Sequence, residues 1–122
     1  MAGQAVFAFV PDSMFSVQLR EAVAKQNGSV AFTSNIQDFQ SRLQQVLPAL
    51  VILDLVAVGG EISNIVSLCR QSGSKVVAFA PHAQGDLFVM AEHEGCDQVY
   101  SSAAFKMDIE SILAKWLSSK ID

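Results

Sequence analysis

Short apolar runs alternate with longer stretches of helical spacing along the whole chain. Gln4 to Val10 (QAVFAFV) is the first run, of strand length, and Pro11-Asp12-Ser13 punctuates it. Phe15, Leu19 and Val23 then recur at i, i+4 and i+8, the spacing of one helix face, until Asn27-Gly28 stops the pattern. Ser29 to Thr33 (SVAFT) predicts a second strand. Ser34, with Gln37 three residues on, has the form of a capping box, and Ile36, Phe39, Leu43 and Val46 give the helix behind it an apolar stripe. Pro48 ends that helix, because its ring cannot continue the hydrogen-bond ladder.

Ala49 to Leu55 (ALVILDL) carries the strongest strand signal. Its continuous β-branched and leucine content predicts burial on both faces, as in the central strand of a parallel sheet. Gly59-Gly60 breaks the chain. Ile62, Ile65, Val66 and Cys69 mark a third helix, stopped by Gly73. Lys75 to Ala80 (KVVAFA) is a fourth strand, ended by Pro81. A short helix from Asp86 carries Leu87, Met90 and Ala91 and stops at Gly95; Asp97 to Ser101 (DQVYS) is a fifth strand. Ile109, Ile112, Leu113, Trp116 and Leu117 form the last and clearest helical stripe. Five strands alternating with five helices predict an α/β fold, a parallel sheet with helices on both faces, in a single domain over residues 1–122.

Composition supports this reading and narrows the function. With 51% of its 122 residues hydrophobic and 16% charged, the chain has ample apolar surface to bury, which excludes a disordered chain. Its longest apolar stretch, Ala49 to Val58, is interrupted by Asp54 and falls short of the ~18 residues of a membrane span. The first residues lack the basic segment and cleavage site of a secretory signal. Eight basic residues against twelve acidic ones, with no Lys/Arg run, argue against direct contact with nucleic acid. Two cysteines are too few for a disulfide scaffold, so a reducing cytoplasm is the simplest compartment.

In doubly wound sheets ligands bind beyond the carboxyl ends of the strands. That rule points to Asp12, Asp54, Ala80 to His82, and Ser101-Ser102. Asp54 interrupts the most apolar run in the chain, and a carboxylate there needs donors, a metal or solvent to offset its desolvation. Asp12, in an Asp-Ser pair ahead of a helix, has the form of an N-cap. The first and central strands are neighbours in the flavodoxin-like order, so the two carboxylates can lie side by side. With a backbone carbonyl they form a set that can hold Mg²⁺.

This arrangement resembles the receiver domain of two-component response regulators over essentially the whole chain. The resemblance implies five parallel strands in the order 2-1-3-4-5. It also implies a phosphoryl group passed from a histidine kinase to an aspartate after the third strand, with Mg²⁺ assisting. Asp54 stands at the phosphoacceptor position. Asp12 matches the second member of the family's acidic pair, and Pro11 replaces the first. Val56 would offer a backbone carbonyl to the metal. Ala80 falls where the family has Thr or Ser, Ser102 where it has Lys, and Ala103 where it has Pro. Val99 falls at the usual aromatic position, with Tyr100 beside it. The missing Lys removes a charge-assisted contact worth roughly 1.5–3 kcal/mol. The missing hydroxyl removes the bond that would draw the switch segment inward. The sequence looks like a degenerate, or pseudo-, receiver that keeps the acceptor and lacks most of the relay.

Substitute groups are available at the same edge. Ser101 or Ser102 can donate a hydrogen bond, and His82, after Pro81, can donate to a phosphoryl group or titrate near neutral pH. His93, between Glu92 and Glu94, belongs to a solvated face. His82, His93, Cys69 and Cys96 lack metal-ligand spacing, and the cysteines, 27 residues apart, are no redox pair. P-loop, dinucleotide and Gly-x-Ser-x-Gly motifs are absent, so no enzyme is expected. Phe88, Val89 and Tyr100 are expected to form a partly apolar face for a signalling partner or a homodimer. Three functions remain open: a divergent receiver phosphorylated at Asp54, a phosphorylation-independent interaction module, and a small flavodoxin-like cofactor-binding domain.

Overall fold

The computed structural model describes residues 5–33, 35–45 and 48–117. Strands β1 (Ala5–Phe9), β2 (Ser29–Phe32), β3 (Leu50–Asp54), β4 (Lys75–Ala80) and β5 (Gln98–Ser101) pair in parallel in the order β2-β1-β3-β4-β5. Helices α1 (Ser13–Lys25), α2 (Ile36–Gln45), α3 (Leu55–Val58), α4 (Ile62–Gln71), α5 (Gly85–Glu94), α6 (Ser102–Met107) and α7 (Ile109–Leu117) connect and follow them. The flavodoxin-like architecture and the strand order agree with the sequence reading.

The period of two in a strand divides the core into two layers. In β3, Val51 and Leu53 join Phe39, Ile62, Ile65 and Cys69 on the side of α2, α4 and α5. Leu50 and Ile52 join Phe15, Leu19, Phe105 and Leu113 on the side of α1, α6 and α7. All four β3 residues are completely buried, and the next residue, Asp54, is the first to reach solvent. The apolar run and its interruption thus correspond to the central strand and its end.

Two boundaries differ from expectation, each for a local reason. Leu55 leaves the strand because Asp54 caps a one-turn helix there, and Gly59–Glu61 continues as a 3₁₀ turn. Ser101 caps α6, an extra helix between β5 and the last stripe. The Ser34 cap and Val46 lie outside the described residues; Asn35 Oδ1 accepts from the Asp38 amide at 3.0 Å at the start of α2. The predicted stops hold: Gly95 ends α5 at φ +107°, where a Cβ would lie 2.9 Å from Arg70 Cδ. Among the described residues no helix is long and apolar enough to cross a membrane.

Candidate functional site

Two aspartates at the carboxyl edge of the sheet are held in the same way. Asp12 precedes α1, and its Oδ1 accepts from the amides of Met14 and Phe15 at 3.0 and 3.1 Å. Asp54 precedes α3, and its Oδ1 accepts from the amides of Val56 and Ala57 at 3.2 and 3.5 Å. Each is therefore a genuine N-cap, which fixes its side chain. Each also leaves Oδ2 without a hydrogen bond among the described residues. Both carboxylates line one cavity of about 200 Å³.

The rest of that wall is apolar except for two groups. Val10, Phe15, Phe79 and Pro81 form its floor and side, Val56 its half-exposed rim, and Ser102 and Lys106 the polar remainder. Burial in this setting pushes the Asp54 carboxyl above the usual carboxylate range. The Ala57 and Val56 amides and the Lys106 ammonium pull it back, and the nearby Asp12 charge pushes it up again. A larger cavity of about 350 Å³, lined among others by Ser13, Arg20 and Phe32, has no carboxylate in its wall. The acidic chemistry belongs to the smaller one.

The other predicted residues fall in different places. Ser102 lines the acidic cavity as the first residue of α6. Ser101 is engaged as the α6 cap, its Oγ accepting from the Ala104 amide at 3.1 Å. Ala80 is fully buried in the layer under α3 and α5, and its neighbour Phe79 takes the cavity wall. His82 is exposed; Pro81 beside it lines the cavity, whereas His82 is not among the lining residues. Among the described residues no group of three or more His, Cys, Asp or Glu gathers to hold a metal. Cys69 and Cys96 are kept protonated, burial pushing both thiols up to about 12.

The residues expected to form a partner face, Phe88, Val89 and Tyr100, lie on α5 and on the edge strand β5. Phe88 packs on the layer with Val99, and Val89 is 67% exposed on α5. Tyr100 alternates to the opposite side of β5, where α6 and α7 cover it, and its hydroxyl accepts from Trp116 Nε1 at 3.0 Å. Phe88 and Tyr100 thus belong to the opposite layers that flank the edge strand β5, and Val89 is the exposed member of the three.

Lys106 is the site residue that sequence reasoning misses. The segment Ser102–Met107 buries only Phe105, so it has no stripe that announces a helix. The available signal was spacing: Lys106 follows Ser102 by four residues, one helical turn, so both can face the same cavity once α6 exists.

No protein-family model matches the chain, and no curated protein does. Solved structures do. A response regulator from Hahella chejuensis superposes with a TM-score of 0.84 at 16% identity, over 98% of this chain and 99% of the other. One from Thermotoga maritima gives 0.79 at 18% identity, over 96% and 99%. The chain has the receiver fold. A Burkholderia pseudomallei response regulator, solved with a phosphorylated aspartic acid, calcium and citrate, gives 0.76 at 19% identity, over 95% of this chain and 67% of the other. At these identities the receiver likeness describes the fold, and chemistry has to be argued from the cavity.

Proposed function

We propose that this receiver-fold chain is a signalling domain in which Asp54 accepts a phosphoryl group from the phosphohistidine of a histidine kinase. The observation that carries the reading is the state of Asp54. It is the last residue of the central strand, fixed through Oδ1 by two amides, with Oδ2 unengaged in a cavity that also holds Asp12 and Lys106. In the step, Asp54 Oδ2 attacks phosphorus and the P–N bond to the donor imidazole breaks. The electron pair stays on the imidazole nitrogen; the donor ring, protonated on its other nitrogen, leaves as neutral imidazole, and Asp54 becomes an acyl phosphate.

The donor set fits a hard divalent cation, though weakly. Asp12 and Asp54 each keep one oxygen free, and Val56 lines the same cavity. Pro11 supplies no third carboxylate, and the Lys106 charge in the wall opposes a cation. Mg²⁺ bound by Asp12, Asp54 and the Val56 carbonyl would supply charge neutralisation for the incoming phosphoryl oxygens. The cavity gives less support to a flavin or nucleotide. It is smaller than the ~300 Å³ of pockets for drug-sized ligands.

A second reading keeps the fold as an interaction module without phosphoryl transfer, and buried Ala80, which offers no hydroxyl to a phosphoryl oxygen, favours it. Mass spectrometry separates the two readings. Incubation with Mg²⁺ and acetyl phosphate is expected to add one phosphoryl group to the wild type and none to Asp54→Asn. An unmodified wild type would favour the interaction module.

A further inference from the structure

The acidic cavity contains one cation, and it sits in an unusual position. Lys106 Nζ lies 5.3 Å from the centroid of the Phe15 ring, over a buried aromatic residue of the same wall. It takes part in neither ion pair found among the described residues, Lys25–Glu110 and Arg42–Asp38. An ammonium group beside two carboxylates, yet held on a ring face, has a weak resting partner that it can exchange for a stronger one. Ser102 and Lys106 project from one helix one turn apart into the same cavity, so a cation at either position reaches the same space.

We propose that Lys106 is the phosphoryl-binding cation of this site, leaving the Phe15 ring to pair with the oxyanion that Asp54 carries. This assignment rests on the reading of Asp54 as the acceptor. A dianionic phosphoryl group in a cavity already holding Asp12 requires positive charge close by, and among the lining residues Lys106 alone can bring it. Because Lys106 is exposed and its stem is flexible, the move from ring to oxyanion needs no rearrangement of the core.

The move has a local witness. Phe15, Phe79 and Phe105 form one aromatic cluster, with centroids 5.6, 5.7 and 4.9 Å apart. Tyr100 continues it at 5.6 Å from Phe105, and Tyr100 is hydrogen-bonded to Trp116, the chain's single tryptophan. Phe15 losing its cation therefore lies in direct packing continuity with Trp116 on α7.

The test is a titration of the whole chain with beryllofluoride in the presence of Mg²⁺, followed through the amide signals of Asp54 to Ala57. Wild type, Lys106→Gln, and Lys106→Gln combined with Ser102→Lys are compared. Lys106→Gln is expected to weaken binding roughly 10- to 150-fold, the loss of one charge-assisted contact. Adding Ser102→Lys is expected to restore most of it. Equal melting temperatures would verify that the fold is intact. Unchanged affinity in Lys106→Gln, or a loss that Ser102→Lys leaves unrestored, overturns the assignment while the Asp54 reading stands. A wild type without response overturns both.

Discussion

At the scale of single residues, Asp54 combines two roles with opposite demands. As the cap of α3 it satisfies amides that would otherwise be unpaired, and as a partly buried carboxylate it carries a desolvation cost. Its carboxyl is raised in the folded chain, so between the ordinary and the raised value the native state holds more proton than the unfolded one. Stability therefore falls as pH rises through that window, and the penalty is fully present above the raised value. Asparagine keeps the cap and removes the charge. Asp54→Asn is thus expected to melt above the wild type at pH 7, with the difference vanishing below the ordinary carboxylate range. A melting temperature at or below wild type at pH 7 would contradict this. Asp12 faces the same choice with less burial. Asp12→Ala should cost about 1 kcal/mol in denaturant unfolding, whereas Asp12→Asn should cost a few tenths at most, because the Met14 and Phe15 amides keep their acceptor. Asp54 was legible in the sequence because a charge inside ALVILDL marks the end of a buried strand, where a cap or a site is expected. Its partner Lys106 was not, because a lone lysine in a short polar segment looks like any solvated surface residue.

At the scale of elements, the strands and long helices follow directly from periodicity, and the errors cluster where elements are shortest. Four-residue α3 and six-residue α6 arise from caps, Asp54 and Ser101, that sequence reading assigned to strand ends. Both begin at the carboxyl edge, so the local chemistry that shifts an element boundary also builds the site. Val99 and Tyr100 alternate across β5 as a period of two requires, and α6 and α7 pack on the Tyr100 side. The aromatic cluster beneath the cavity is the main tie between these short elements and the core. Phe105 is completely buried and stacks on Phe79. Phe105→Ala is expected to destabilise the chain by about 3–5 kcal/mol in chemical denaturation. It should also alter Trp116 fluorescence in the folded state, since Tyr100 would lose the ring that holds it. A loss below about 1 kcal/mol would show that α6 is only loosely attached.

At the scale of the whole molecule, Asp12, Asp54 and Lys106 are gathered at the carboxyl edge of the sheet, above the two core layers. β3, buried on both faces, places Asp54 at that edge with little freedom to move. The apolar residues left outside the core include Val56 at the cavity rim and Val89 and Met90 on α5. The parallel α/β architecture and the acidic edge could be inferred from pattern because each follows from burial, whereas the strand order was what the receiver resemblance implied. What burial does not determine is which charge completes the cavity, since that depends on where a side chain from a late, short helix arrives. The central claim is that Asp54, with Asp12, can present a phosphoryl oxyanion in this cavity. An amide NMR titration with Mg²⁺ and then beryllofluoride, a phosphoryl mimic, tests it most directly, with Asp54→Asn as the control. The account predicts shifts at Asp12, Asp54 to Ala57, Ser102 and Lys106, extending to the Trp116 indole and absent in the control. No response in the wild type at millimolar Mg²⁺ and excess beryllofluoride, or the same response in Asp54→Asn, would contradict it.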